Sequence, residues 1–326
     1  MKKIAVLLSL LLIITGCASK NSNNKIDKYL KKIKNSEAYS IRGSMEIYND
    51  SDTYTYAINV LYKAPDYYKV SLINQGNNHE QVILKNDDGV YVITPALNKS
   101  FKFQSNWPSN SSQAYILHNL LEEIGKKYKV NQKNNMYYIN TKVDYPNNPD
   151  LTNQEIYFNS SGTLSEVLVK DSEGVVKIKV IFKDIDLNDR ITKEEFNING
   201  LVKEENDEVK TGELDDFIYP LYIPTNTFLN TKETIETDNG KRNILSFNGD
   251  KSFTLIEEKA CFNSELEIIP VYGEPLFIND TIGAIGSNTI YWTNNNIDYY
   301  LTGSNLDQSD LINIASSVGN TILVGK

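Results

Sequence analysis

Histidine, cysteine, methionine and tryptophan are scarce in this chain, at two, two, three and two residues among 326. So few imidazoles and thiols leave little for a metal cluster, a thiol nucleophile or a histidine base. No HExxH, CxxC, GxSxG, Walker A or GxGxxG spacing occurs. His79 lies in the turn-forming run Asn77-Asn78-His79-Glu80, and His118 precedes Glu122 by one helical turn, the spacing of a solvated pair. Positive charge is also short: 33 Lys and Arg against 42 Asp and Glu give a net charge of −9. That balance excludes nucleic acid as a partner and argues against anionic headgroups as partners of the folded body.

Long apolar runs are absent except at the start. Lys2 and Lys3 precede Ile4 to Ile14, in which Ser9 is the only polar residue, and Thr15-Gly16-Cys17 follows. A charged start, a short apolar run and small residues at its end make a secretory signal peptide over residues 1–16. The run is too short to span a membrane permanently. Ile14-Thr15-Gly16-Cys17 fits a lipobox, in which the Cys17 sulfur takes a diacylglycerol and cleavage falls just before it. Two or more acyl chains, palmitate among them, anchor a protein stably at ~0.8 kcal/mol per buried CH₂. Cys17 is therefore the expected lipid anchor, on the extracytoplasmic face of the cell membrane. Residues 17–24 read as a flexible polar tether. Cys261 is then the single remaining thiol, expected as a small buried hydrophobe.

What is abundant is tyrosine, 21 residues, set in period-two patterns. Thr53 to Tyr62 (TYTYAINVLY) places Tyr54, Tyr56, Ile58, Val60 and Tyr62 on one face. Strands are also predicted over 67–73, 80–85, 89–94, 100–104, 136–143, 154–159, 164–170 and 175–185, with turn residues between them. Two helices interrupt them. One runs over Ile26–Ile33. The other carries Leu117, Leu120, Leu121 and Ile124 on one stripe, with Asn110 or Ser111 as its cap and Gly125 as its stop. Lys203–Asp216 is a charged linker. Beyond it come a hairpin at Asn248-Gly249-Asp250, a second at Asn294-Asn295-Asn296, and a helix from Asp307 to Val318.

The pattern predicts a mainly β (α+β) protein. Residues 25–200 are expected to form a curved antiparallel sheet with a helix against its concave side, 201–216 an acidic linker, and 217–326 a small C-terminal α+β domain. Asp184 to Glu195 (DIDLNDRITKEE) has EF-hand-like oxygens, but Asp189 stands where the loop turn needs glycine, so no metal site is expected. The acid pairs Asp87-Asp88 and Glu122-Glu123 fall in a turn and on a polar helix face. No residue is assigned a catalytic role, and no cofactor is expected.

The stretch NDDGVYVITPALNKSF, with Asp88, Gly89 and Pro95, resembles a strand–turn–strand segment of the LolA/LolB/RseB lipoprotein superfamily. ITPALNKSFKFQSNWPSNSSQAY (Ile93 to Tyr115) more closely resembles the YdcC-type, GerS-related sporulation lipoproteins of Firmicutes. The resemblance implies an unclosed antiparallel β-barrel. It implies a non-enzymatic, membrane-anchored lipoprotein acting in spore envelope or cortex formation or germination, with a cell-wall amidase or other envelope protein as partner. The alternative it implies is a carrier or sensor that binds an acyl chain or a lipoprotein. Tyr91, Ile93, Phe101, Phe103 and Trp107 are then the candidate apolar groove.

Overall fold

The computed structural model describes residues 17–49, 52–203, 214 and 216–319. The signal-peptide run, most of the acidic linker and the side chains of residues 17–22 lie outside the described residues. Two compact units form, one from Met1–Ala64 and Ser111–Ile191, the other from Pro65–Asn110 and Thr192–Lys326.

The first unit opens with helix α1, Cys17–Lys34. Residues 18–24, expected as a flexible tether, are helical and extend the predicted helix toward its N-terminus. The physical reason is propagation. Once Ile26, Leu30 and Ile33 are docked and buried, each further residue adds one hydrogen bond for one pair of dihedrals. Strands β1 (Ala38–Tyr48) and β2 (Thr53–Lys63) pair antiparallel over their full length, with Ile41 opposite Val60 and Met45 opposite Tyr56. The expected face of β2 is the buried one: Tyr56, Ile58, Val60 and Tyr62 are all in the core. Gly43 sits at a bulge in β1, where a Cβ would stand 2.3 Å from the Ile181 carbonyl oxygen. The later strands of this unit are β7 (Val130–Lys133), β8 (Met136–Lys142), β9 (Leu151–Phe158), β10 (Leu164–Asp171) and β11 (Val176–Asp186). Their order beside β2 and β1 is β2-β1-β11-β10-β9-β8-β7, antiparallel throughout.

Helix α2 spans Leu117–Ile124 and starts later than its predicted cap. Neither Asn110 nor Ser111 caps it; Ile116 occupies the N-cap position without a side-chain bond. Residues 111–116 are used otherwise. Ser112 exchanges two bonds with Asp144, N to O at 2.6 Å and Oγ from N at 2.8 Å. The predicted stop holds: Gly125 has φ 65 and its N–H donates to the Leu121 carbonyl.

In the second unit the strands predicted between residues 67 and 104 form as expected. Strands β3 (Tyr67–Asn74), β4 (Glu80–Asn86), β5 (Gly89–Thr94) and β6 (Lys99–Phe103) make an antiparallel meander. Pro95–Leu97 is a 3₁₀ turn closed by Asn98 in the left-handed conformation. The remaining strands are β12 (Thr227–Thr237), β13 (Gly240–Gly249), β14 (Phe253–Lys259), β15 (Glu267–Val271), β16 (Gly273–Ile278), β17 (Thr281–Gly286), β18 (Thr289–Asn294) and β19 (Ile297–Thr302). Seven of them build a sheet in the order β12-β13-β14-β19-β18-β17-β16. The eighth, β15, pairs in parallel with β6. So the segment after the linker contributes to two sheets. Helix α3 (Gln308–Ser317) is closed by a capping box of Asp307 and Asp310 and buries Leu311, Ile314 and Ala315. Around it Leu245, Phe247, Leu255, Trp292, Leu301 and Val318 form one core.

The protein is thus mainly β, and its sheets are not closed into barrels: β7, β15, β12 and β16 each end a strand order.

Candidate functional site

The interior of the first unit lies between its two helices and its sheet. It is lined by Leu30 and Ile33 of α1, Leu117, Leu120 and Ile124 of α2, and Ile156 and Phe158 of β9, among others. These side chains interdigitate so closely that the void between them is about 10 Å³. A single water needs at least ~10–15 Å³. An acyl chain fits there only if α1 or α2 moves away from the sheet.

The five aromatic and aliphatic residues nominated from the sequence are all buried in the second unit. They do not share one wall. In the β5–β6 ladder Val92 lies opposite Phe101 and Val90 opposite Phe103, while Tyr91 faces Lys102 and Ile93 faces Ser100. Directly opposed residues share a face and neighbours along a strand alternate, so Tyr91 and Ile93 point away from the side that carries Phe101 and Phe103. Phe101 packs toward Tyr291, with ring centres 6.1 Å apart. The Lys102 ammonium lies 5.3 Å from the Tyr91 ring centre, and Trp107 meets the ring of Tyr68 edge-on at 6.0 Å. The groove read from these residues is a pair of packed faces, because the pleat separates what the sequence places side by side.

Other residues singled out in the sequence also take defined places. His118 does not form the solvated pair with Glu122. Its ring lies 4.4 Å from that of Tyr62 and 5.7 Å from that of Tyr39, and its Nδ1 is buried without a hydrogen-bond partner. Burial holds its pKa below the ordinary imidazole value. Glu123 likewise leaves the polar helix face. It accepts from the Gln154 amide, and burial pushes its carboxyl up to about 7. Cys261 is half-buried rather than a core residue, with Sγ 3.6 Å from the Lys259 carbonyl oxygen. Asp184 pairs with Arg42 at 2.7 Å, and Asp186 accepts from the Asn188 N–H at 2.9 Å.

A further group of exposed apolar residues lies in the second unit. Strand β12 ends the seven-stranded sheet, pairs among the described residues with β13 alone, and is exposed along nearly its whole length. Phe228 on it is 67% exposed, and Leu229 and Ile235 also face solvent. Beside the same sheet runs segment 216–223. Its Ile218 N–H donates to both carboxylate oxygens of Glu257 at 3.1 Å. Leu221 N bonds the Ser317 carbonyl at 3.3 Å, and Tyr222 N bonds the Ser317 hydroxyl at 3.0 Å. The backbone is pinned at three points, yet Tyr219, Leu221, Tyr222 and Ile223 remain exposed. Lys232 of β12 bridges strand and segment, with Nζ 5.2 Å from the Phe217 ring centre and 3.3 Å from the Tyr219 hydroxyl. Phe228, opposite Asn248, and Ile235, opposite Arg242, lie on one face of the strand, and Leu229, opposite the buried Phe247, lies on the other. Glu257 is fully buried, and burial pushes its carboxyl up to about 7. The one sequence signal for β12 is its run of β-branched threonines and Ile235, which carries no apolar alternation.

The sporulation protein YdcC-like family model matches residues 1–196. This chain belongs to that family. It is also 34% identical over 314 residues to the sporulation protein YdcC of Bacillus subtilis, covering 94% of this chain and 93% of that one. Among solved structures, similarity extends to a chain of the complex between the CwlD amidase and the GerS lipoprotein of Clostridioides difficile, at 20% identity and a TM-score of 0.31, covering 50% of this chain and 93% of that one. It extends also to the LolA superfamily protein NE2245 of Nitrosomonas europaea, at 10% identity and a TM-score of 0.31, covering 54% and 97%.

Proposed function

We propose that this sporulation protein is a non-enzymatic envelope lipoprotein, held on the outer face of the cell membrane by an acylated Cys17, that binds a protein partner along β12 and segment 219–223. The observation that carries the reading is the edge strand β12, exposed along nearly its whole length, with Phe228 and Ile235 bare on one face. A terminal strand offers a row of backbone donors and acceptors, and flanking apolar side chains give an incoming strand its specificity. A protein segment has both the backbone and the side chains to satisfy such an edge. The resemblance to GerS-type lipoproteins names the partner class to test first, a cell-wall amidase active during sporulation. The tight packing of α1 and α2 against β9 weighs against an acyl chain held between them.

Isothermal titration of the purified chain with the sporulation amidase of its own host tests the reading. A complex of fixed stoichiometry is expected, weakened at least about tenfold by Phe228→Asp with Ile235→Lys, since buried interface anchors cost about 1.4 kcal/mol or more each. Absence of binding, together with a stoichiometric acyl lipid carried by the native chain in mass spectrometry, overturns it in favour of the carrier. The anchor is tested separately. The mature protein from membranes should carry acyl mass on Cys17, and Cys17→Ala should release it into the medium.

A further inference from the structure

The net charge of −9 hides a strongly basic region. Residues 24–34 and 125–133 together hold nine lysines and one acid, Asp27. The lysines of the first stretch lie on α1. Ile26, Leu30 and Ile33 face the core, so the 100° step of the helix turns Lys28, Lys31 and Lys32 to the opposite side, with Lys25 and Lys34 on its flanks. The second stretch leaves α2 at Gly125 and runs into β7, with Lys126, Lys127, Lys129 and Lys133 exposed.

Two contacts hold the stretches together. The leucine stripe of α2 packs on that of α1, and the Tyr128 hydroxyl donates to Asp27. The only acid in either stretch is thereby engaged at their junction. Lys25 donates to the Ser160 carbonyl at 3.1 Å. The other four helix lysines, and Lys126, Lys127 and Lys129, form no ion pair among the described residues. Elsewhere in the chain, lysines such as Lys85, Lys99 and Lys170 each have a carboxylate within 2.7 Å.

We propose that this lysine face is a docking surface for anionic phospholipid headgroups, and that it orients the protein on its membrane. The proposal rests on the lipoprotein reading only for which membrane lies nearby. Helix α1 begins at Cys17, so nine helical residues, about 14 Å, separate the anchor position from Ile26, the first buried residue of the body. A helix transmits orientation where a flexible tether would not. It holds Lys25 and Lys28 about 12 and 17 Å from the anchored end, within two Debye lengths of about 10 Å each at 0.1 M salt, and Lys31, Lys32 and Lys34 about 21–26 Å from it. Clustered lysines beside a lipid anchor add electrostatic attraction to an anionic surface. The rest of the chain, with an excess of acid, is repelled from the same surface, so attraction and repulsion select one orientation.

The test uses residues 17–326 carrying Cys17→Ser, which keeps every described element and removes any acyl contribution. Co-sedimentation is measured with vesicles of phosphatidylglycerol in phosphatidylcholine and with phosphatidylcholine alone, at low and high salt. The expected result is binding to the anionic vesicles only, abolished at high salt. Lys28→Gln with Lys31→Gln and Lys32→Gln should reduce it by about tenfold or more. A control removing three lysines elsewhere, Lys142→Gln, Lys183→Gln and Lys241→Gln, should change it little. Circular dichroism confirms that both variants are folded. No binding, equal binding to neutral vesicles, or equal loss in the control overturns the proposal. None of these outcomes depends on whether Cys17 is acylated in cells, which the mass measurement decides alone.

Discussion

The side-chain amide of Gln81 on β4 pairs with the backbone of Ile282 on β17: Nε2 donates to the Ile282 carbonyl at 2.9 Å, and Oε1 accepts from its N–H at 2.6 Å. The Thr281 hydroxyl adds a bond to the same Oε1 at 3.1 Å. All three residues are buried. A glutamine here acts as one more residue of strand, joining the meander of β3 to β6 to the seven-stranded sheet within the second unit.

Gln81→Leu should therefore be among the most destabilising single changes in the chain. It fills the same space and leaves a buried N–H and C=O without partners, a cost of about 2–5 kcal/mol. Urea unfolding should show a lower midpoint for Gln81→Leu than for Ser71→Ala, which removes only a half-buried bond to Glu80. Equal midpoints would mean that water reaches Ile282.

Two carboxyls make stability fall as pH rises. Glu257 and Glu123 are each pushed from 4.5 up to about 7 by burial. The folded state then holds protons that the unfolded state has released. Their contribution is intact below about pH 4.5 and is lost as pH climbs through 7, by a few kcal/mol each. Glu257→Gln should flatten the decline in melting temperature between pH 5 and 8. A steeper decline in the variant would refute a protonated Glu257.

His118 has the opposite sign. Its pKa is lowered by burial between Tyr39 and Tyr62, so stability is present above the ordinary imidazole value and falls as pH drops through it. His118→Phe keeps the stacking and removes both the titration and the unpartnered Nδ1. The variant should gain stability over the parent at pH 5 more than at pH 8, measured by urea midpoints. An equal or larger gain at pH 8 would argue against a neutral buried ring.

Cutting the chain within 204–213 should not release residues 217–326 under native conditions. Strand β15 pairs with β6, and the Asn98 amide bonds the carbonyls of Lys203 and Asn263 at 2.8 Å each. With a protease site inserted there, both fragments are expected to co-elute in size exclusion and to separate in urea. Separate elution without urea would make the C-terminal segment a domain that folds alone.

Much of this protein follows from periodicity and turn chemistry. Tyr54 to Tyr62 alternate, so one face of β2 is buried. Asn248-Gly249-Asp250 and Asn294-Asn295-Asn296 supply left-handed backbone, so hairpins form there. Asp307 and Asp310 cap α3 because the capping box is a local geometry. Family membership was legible in the run Ile93 to Tyr115, and Cys17 in its lipobox remains a sequence inference.

Only the tertiary structure decided how the pieces are used. Tyr91 and Phe101 look like one groove in the sequence, but the pleat sends them to different faces. β12 and β15 were missed because an exposed or edge strand needs no apolar alternation. The parallel pairing of β15 with β6 joins residues more than 160 positions apart, which no local pattern encodes. Net charge says nothing of any single face for the same reason. It sums over the whole chain, whereas a membrane meets one face, and only folding brings the lysines of α1 beside those of 126–133.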